Sequence, residues 1–120
     1  MASTNFAPSY VRRHDRESLG RRAEEAIERL SNCDLCGQSC RVDRIKGQLG
    51  VCRTGRYATI ASFGPHYGEE SVLVGDGGSG TIFFANCNLA CVFCQNYDIS
   101  AYGSGQEVTD RELADMMLML

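Results

Sequence analysis

Apolar residues recur on one stripe between residues 15 and 31. Leu19, Ala23, Ala26, Ile27 and Leu30 share a face, the spacing of an amphipathic helix. Arg21, Glu25 and Arg29 stack four apart on another face, where opposite charges support a helix. Asp15 or Ser18 is the residue type that caps its start. Helical periodicity then stops until Tyr57-Ala-Thr-Ile-Ala-Ser-Phe63, whose β-branched and aromatic content predicts a strand. Gly64-Pro65 predicts a break, and Ser71-Val-Leu-Val74 a second short strand. Thr81-Ile-Phe-Phe-Ala85 is apolar throughout, the pattern of a strand buried on both faces in a parallel sheet with helices outside.

The last segment opens with Thr109-Asp-Arg-Glu112, a capping box. Leu113, Met116, Met117 and Leu120 then form a helical stripe suited to core packing. No C-cap glycine or basic last turn follows, and Met116 to Leu120 are all apolar. The expectation is that the chain is the N-terminal part of a longer protein.

Gly75-Asp-Gly77-Gly-Ser-Gly80 formally matches G-x-G-x-x-G. A dinucleotide fingerprint opens into a helix, whereas a strand pattern follows here, so the segment is expected to be a turn.

Length and charge narrow the classes. A chain of 120 residues holds one modest domain or two small ones. A net charge of −3 and a pI near 5.3 argue against nucleic acid, which favours a basic face. No apolar run is long enough to span a membrane, and residues 1–10 lack the layout of a signal peptide. A cytoplasmic protein is expected.

In that setting seven cysteines are an anomaly. An odd number cannot all pair, and a reducing compartment disfavours disulfides. They fall into two groups: Cys33, Cys36, Cys40 and Cys52, then Cys87, Cys91 and Cys94. The first combines C-x2-C with two further cysteines, and Gly47 and Gly50 allow the tight turns that bring distant thiols together. Four soft sulfur ligands suit zinc or an iron–sulfur cluster, as a structural site that staples a small segment.

The second group, C-x3-C-x2-C, supplies three thiolates and no obvious fourth ligand. A closed metal site wants four, so three leave an open position at which chemistry can occur. It begins two residues past the apolar Thr81–Ala85 run, at the strand end where α/β barrels place their active sites. A non-catalytic zinc or iron–sulfur module is the competing reading. It would need a fourth ligand, for which His66 is the only nearby histidine and Asp98 the nearest carboxylate. Redox C-x-x-C motifs occur singly near a βαβ pattern, and a nucleophilic hydrolase is unsupported: G-x-S-x-G is absent, and His14 and His66 stand in no recognisable arrangement.

The run Phe84-Ala-Asn-Cys87-Asn-Leu-Ala-Cys91-Val-Phe93-Cys94-Gln-Asn-Tyr97 resembles the cluster loop of radical S-adenosylmethionine (SAM) enzymes, particularly relatives of pyruvate-formate-lyase-activating enzyme. Cys33-x2-Cys36-x3-Cys40-Arg-Val-Asp-Arg, then Gly-x-x-Gly50-x-Cys52, resembles the cysteine-rich lead-in of an uncharacterised branch of those proteins. Gly37-Gln38 departs from that pattern, where proline and a basic residue are expected, but leaves the ligands intact. The resemblance implies an α/β fold. Residues 1–56 would form an N-terminal helix and a four-cysteine metal-binding segment. Residues 57–120 would begin an incomplete (β/α)6 partial TIM barrel, with its first strand, cluster loop and first helix.

The same resemblance implies that Cys87, Cys91 and Cys94 hold three irons of a [4Fe-4S] cluster, while SAM chelates the fourth. An electron from a donor such as flavodoxin or ferredoxin would cleave SAM to methionine and a 5′-deoxyadenosyl radical that abstracts hydrogen from substrate. The backbone at Phe93 would meet the adenine and its ring would shield the cluster. A glycyl-radical partner protein is one implied substrate. The remaining SAM-binding and catalytic machinery would lie beyond Leu120, so this stretch alone is expected to be inactive.

Overall fold

The computed structural model describes Val11 and residues 16–120. The capping role expected of Asp15 therefore falls outside the described residues, as does His14. Helix α1 (Arg16–Glu28) continues into a 3-10 turn, Arg29–Asn32. Ser18 lies inside the helix. Arg21 pairs with Glu25 at 2.7 Å, as the spacing predicts, but Arg29 turns away to Asp34, also at 2.7 Å. Only the C-terminal end of the apolar stripe is covered: Ile27 and Leu30 are half-buried, while Leu19, Ala23 and Ala26 are exposed.

Residues 33–57 form turns without a regular element, and strand β1 (Ala58–His66) follows. β2 (Ser79–Phe84) and β3 (Gln106–Val108) flank β1 in a sheet of order β2-β1-β3. Both pairings are antiparallel: Phe63 faces Ile82 and His66 faces Ser79 on one side, and Ala58 faces Val108 on the other. The fold is thus α/β with a small antiparallel sheet. The parallel environment expected for Thr81–Ala85 is not formed among the described strands, and Phe84 is 49% exposed.

Two further expectations change. Gly64-Pro65 does not interrupt β1. Proline lacks a donor and is tolerated where one edge is free, and beyond Ile60 the strand has a partner only on the β2 side. Ser71–Val74 is a single helical turn, α2, not a strand. Leu73 and Val74 both donate to the Glu70 carbonyl, and Gly75 at φ 50° ends the turn. Four residues with no neighbouring strand edge satisfy their backbone groups locally.

The Gly75–Gly80 segment turns into β2 as expected, with Gly78 at φ 78°. There an added Cβ would press on the His66 carbonyl at 3.1 Å and the Tyr67 ring. After β2 come a loop, the short helix α3 (Tyr97–Ala101), β3, and helix α4 (Asp110–Met119). The capping box of α4 is complete. Thr109 Oγ1 accepts from the Glu112 amide at 3.3 Å, and Glu112 Oε2 accepts from the Thr109 amide at 2.7 Å. Arg56 grips Asp110 with both Nη atoms, at 3.1 and 2.5 Å, tying α4 to the segment before β1. Of the stripe, Leu113 and Met116 are half-buried, while Met117 and Leu120 are exposed.

Among the described residues the apolar core is thin: Cys33, Ile60, Ala85 and Val108 are buried, with Arg44 the one buried charged residue. Local devices therefore matter to stability. Thr109→Ala should destabilise the chain by about 1 kcal/mol, the usual worth of an N-cap, measured as a lower denaturant midpoint. The Thr109 amide and hydroxyl hold the Glu112 carboxyl below its ordinary value. A depressed acid stabilises above its unfolded pKa, so the Thr109→Ala penalty should be full at neutral pH and shrink as pH falls below about 4.

Candidate metal centre

The C-terminal end of β2 delivers the three-cysteine loop. Ala85 donates to the Thr59 carbonyl at 2.8 Å, extending the pairing with β1 by one residue. Asn86 then turns into the left-handed region, at φ 68°, and donates to the Ile99 carbonyl at 2.8 Å. This bond clasps the loop across its base, between strand end and α3. Ala90 takes a second left-handed turn at φ 52°, unusual for a residue with a Cβ. The Cys94 amide donates to the Cys91 carbonyl at 3.2 Å, folding the last two cysteines onto one turn.

Each thiol has a distinct setting. The Leu89 amide donates to Cys87 Sγ at 3.3 Å. That bond, with the Ala90 and Asn88 amides, holds the Cys87 thiol below its ordinary value. The Ser100 hydroxyl, on α3, donates to Cys94 Sγ at 3.3 Å. Cys91 lines a shallow hollow with Tyr97 and Ser100. Around them Leu89, Val92 and Phe93 are exposed, Phe93 by 84%. The two fourth-ligand candidates of the module reading separate. His66 pairs with Ser79 at the far end of β2 from Cys87, edge-on to Phe83, and Asp98 sits in the first turn of α3.

The four-cysteine segment is organised around Arg44. Its amide donates to the Leu30 carbonyl at 2.9 Å, its Nη1 to the Thr54 carbonyl, and its Nη2 to Cys40 Sγ at 3.5 Å. The guanidinium also reaches Cys33, holding that buried thiol below its ordinary value despite the opposing effect of burial. Burial pushes the Cys52 thiol up, but the Thr54 amide and hydroxyl and the Arg44 charge outweigh it. Cys36 lines a cavity together with Cys33, Arg44 and Cys52.

Two local features recur across both groups. Cys33, Cys52 and Cys87 each accept the amide of the residue two positions on: Leu35, Thr54 and Leu89. Such N–H···S bonds favour thiolate, the ligating form. Furthermore, every described non-glycine residue with positive φ is the sequence neighbour of a cysteine: Ser39, Arg41, Arg53, Asn86 and Ala90. Backbone strain of this kind costs about 1–3 kcal/mol per residue and concentrates at functional sites.

The groups also touch. Gln38 Nε2 donates to the Asn88 carbonyl at 2.8 Å, and Arg53 Nη2 to the Ser100 carbonyl at 3.3 Å. A cavity of about 520 Å³ lies between them, walled by Cys33, Cys36, Arg44 and Cys52 on one side and by Asn86 and Cys87 on the other. Among the described residues, no three Cys, His, Asp or Glu side chains are gathered as a ready cage for one ion. The donor chemistry nevertheless fits soft metals: thiolates with amide and hydroxyl donors aimed at sulfur are what iron–sulfur and zinc sites use.

Arg44, Gln38, Arg53 and Ser100 are the contributors that the sequence did not single out. Arg44 had one available signal, its position four residues beyond Cys40 within the cysteine group. Gln38 and Arg53 act through contacts 50 and 47 residues apart in the chain, which no local pattern encodes, and Ser100 reaches Cys94 from six residues away.

Removing the Leu89 amide tests the Cys87 setting. Leu89→Pro has no donor there, so the Cys87 thiol should rise and its alkylation by iodoacetamide near pH 7.5 should slow several-fold, read by mass-spectrometric mapping of the metal-free chain.

No protein-family profile matches the chain, and no solved structure matches it. Among curated proteins it is similar to an uncharacterized protein, MJ0674, of Methanocaldococcus jannaschii. The two are 44% identical over 82 residues, covering 68% of this chain. The chain spans 23% of that relative's length.

Proposed function

We propose that Cys87, Cys91 and Cys94 hold a [4Fe-4S] cluster with one iron left for SAM, and that the complete protein is a radical SAM enzyme of the activating-enzyme-like kind. One observation carries the reading. Three thiols, without a fourth protein ligand beside them among the described residues, sit on one tight loop at the C-terminal end of a strand, with amide and hydroxyl donors aimed at sulfur. A site that ligates three of four irons needs that donor set.

The rest of the loop fits the same role. Leu89, Val92 and Phe93 present apolar side chains around the thiols, suited to keeping water from a low-potential centre. Phe93 would lie against the adenine of SAM through its backbone. Ser100 and Leu89 orient Cys94 and Cys87 and temper the charge on their sulfurs. When bound, the cluster and SAM together supply reductive cleavage to methionine and a 5′-deoxyadenosyl radical; this chain's part is to bind, orient and shield.

The sheet is compatible with the start of a (β/α)6 partial barrel. β2 is an edge strand, so its outer edge is free to accept a parallel neighbour. In this reading β1 is an antiparallel lead-in, β3 adds to its other side after the cluster loop, and α4 is the first crossover helix. Later strands would supply the rest of the SAM site and choose the substrate, with a partner protein that carries a glycyl radical as one candidate. Flavodoxin or ferredoxin would donate the electron.

The test uses the complete protein, reconstituted anaerobically with iron and sulfide and then reduced. It should give a [4Fe-4S] EPR signal that changes when SAM is added, and Cys91→Ser should abolish the signal. A cluster indifferent to SAM, or zinc alone, would sink the reading and favour a non-catalytic metal module.

A further inference from the structure

From the arrangement around Arg44 we infer that Cys33, Cys36, Cys40 and Cys52 form a second, independent site that takes one tetrahedral zinc ion, with Arg44 as its built-in counter-charge. Iron at the other cysteines is not required, so this site stands apart from the radical SAM reading.

All four thiols lie about one side chain: Cys33, Cys36 and Cys52 line one cavity together with Arg44, and Arg44 Nη2 donates to Cys40 Sγ at 3.5 Å. Arg44 is 5% exposed and its guanidinium is held by the Thr54 carbonyl. A buried cation with no carboxylate partner among the described residues, set among cysteines, is explained if their sulfurs serve as thiolates. Cys36 is the fourth ligand by position. It sits at C-x2-C spacing from Cys33, and the turn between Cys36 and Cys40 is closed by the Ser39 amide on the Cys36 carbonyl at 3.0 Å.

Space selects the kind of metal. A Cβ on Gly50 would collide with both Cys40 Sγ and Arg44 Nη2, so backbone is packed directly against the Cys40 sulfur and leaves little room beside it. Zn–S bonds of about 2.3 Å need four sulfurs only roughly 4 Å from one another. A four-iron cube would have to push the ligands farther apart.

Charge explains the arginine. Zinc binding releases the thiol protons to solvent, and four thiolates around one Zn2+ leave a net charge of −2. Burying that charge without a partner is costly, and a guanidinium donating to sulfur offsets half of it. Outer contacts of this sort commonly change metal affinity by about 10–100-fold.

The test is a titration of the full chain carrying Cys87→Ser, Cys91→Ser and Cys94→Ser, so that only the four thiols remain. Co2+ should bind at one equivalent, with sulfur-to-cobalt charge transfer and the strong visible bands of a tetrahedral tetrathiolate. One equivalent of Zn2+ should displace it. Arg44→Met should keep the stoichiometry and weaken zinc about tenfold, with Arg44→Lys recovering part of the loss. Alkylation mapping of the unsubstituted chain keeps the result readable if the triple variant does not fold: Zn2+ should protect Cys33, Cys36, Cys40 and Cys52 together. Absence of binding in both experiments, weak octahedral cobalt bands, or assembly of an iron–sulfur cluster on these four thiols would overturn the zinc site. Zinc affinity unchanged or increased in Arg44→Met would overturn the counter-charge role.

Discussion

A single buried arginine organises the segment between α1 and β1, which has no regular secondary structure. Arg44 joins the 3-10 turn after the first helix, through the Leu30 carbonyl, to Thr54 just before β1, and it meets Cys40 Sγ on the way. Taking a cation out of water costs several kcal/mol unless it is hydrogen-bonded and opposed by negative charge. Here sulfur is set against it, and the Arg44 guanidinium in turn holds the Cys33 thiol below its ordinary value. A segment with almost no apolar core of its own is held by polar and ionic contacts converging on one side chain.

The sheet solves a different problem, that of placing a reactive loop. β1 is central because it alone has partners on both sides. Its first residues pair with β3 and its remainder with β2, so the C-terminal end of β2 and the N-terminal end of β3 meet at the same end of the sheet. The loop carrying Cys87, Cys91 and Cys94 leaves from that end, and its base is closed by Asn86 on Ile99. Gln38 and Arg53 reach it from the other cysteine group. Two hydrogen bonds and a shared cavity wall thus join the two groups without an intervening element.

Strain and ionisation converge on the same residues. Left-handed backbone at Ser39, Arg41, Arg53, Asn86 and Ala90 turns the chain sharply beside Cys40, Cys52, Cys87 and Cys91. Glycine would take these turns at lower cost. Side chains kept there have other work in at least two cases: Arg53 reaches Ser100, and Arg41 pairs with Asp34 at 3.4 Å. The amide bonds to Cys52 and Cys87 sit beside these local turns.

The sequence by itself determined the elements whose signals are local. A helix over the α1 stripe, a strand over most of Tyr57–Phe63, the turn before β2 and the Thr109–Glu112 cap all rest on interactions within a few residues and all form, although the strand runs on to His66 and only one end of the α1 stripe is covered. It also showed the division of cysteines into four and three, because spacing along a chain is visible without a fold. Only the tertiary structure decided the rest. Ser71–Val74 has strand composition but closes its backbone bonds on Glu70 and Ser71, so it forms a helical turn. Pro65 stays in β1 because its edge is free there, and Thr81–Ala85 pairs antiparallel because β1 is the neighbour it meets. Arg44 among the thiols, Ser100 on Cys94 and Gln38 on Asn88 were illegible for one reason: each joins groups whose proximity is created by folding, and no periodicity or spacing records it.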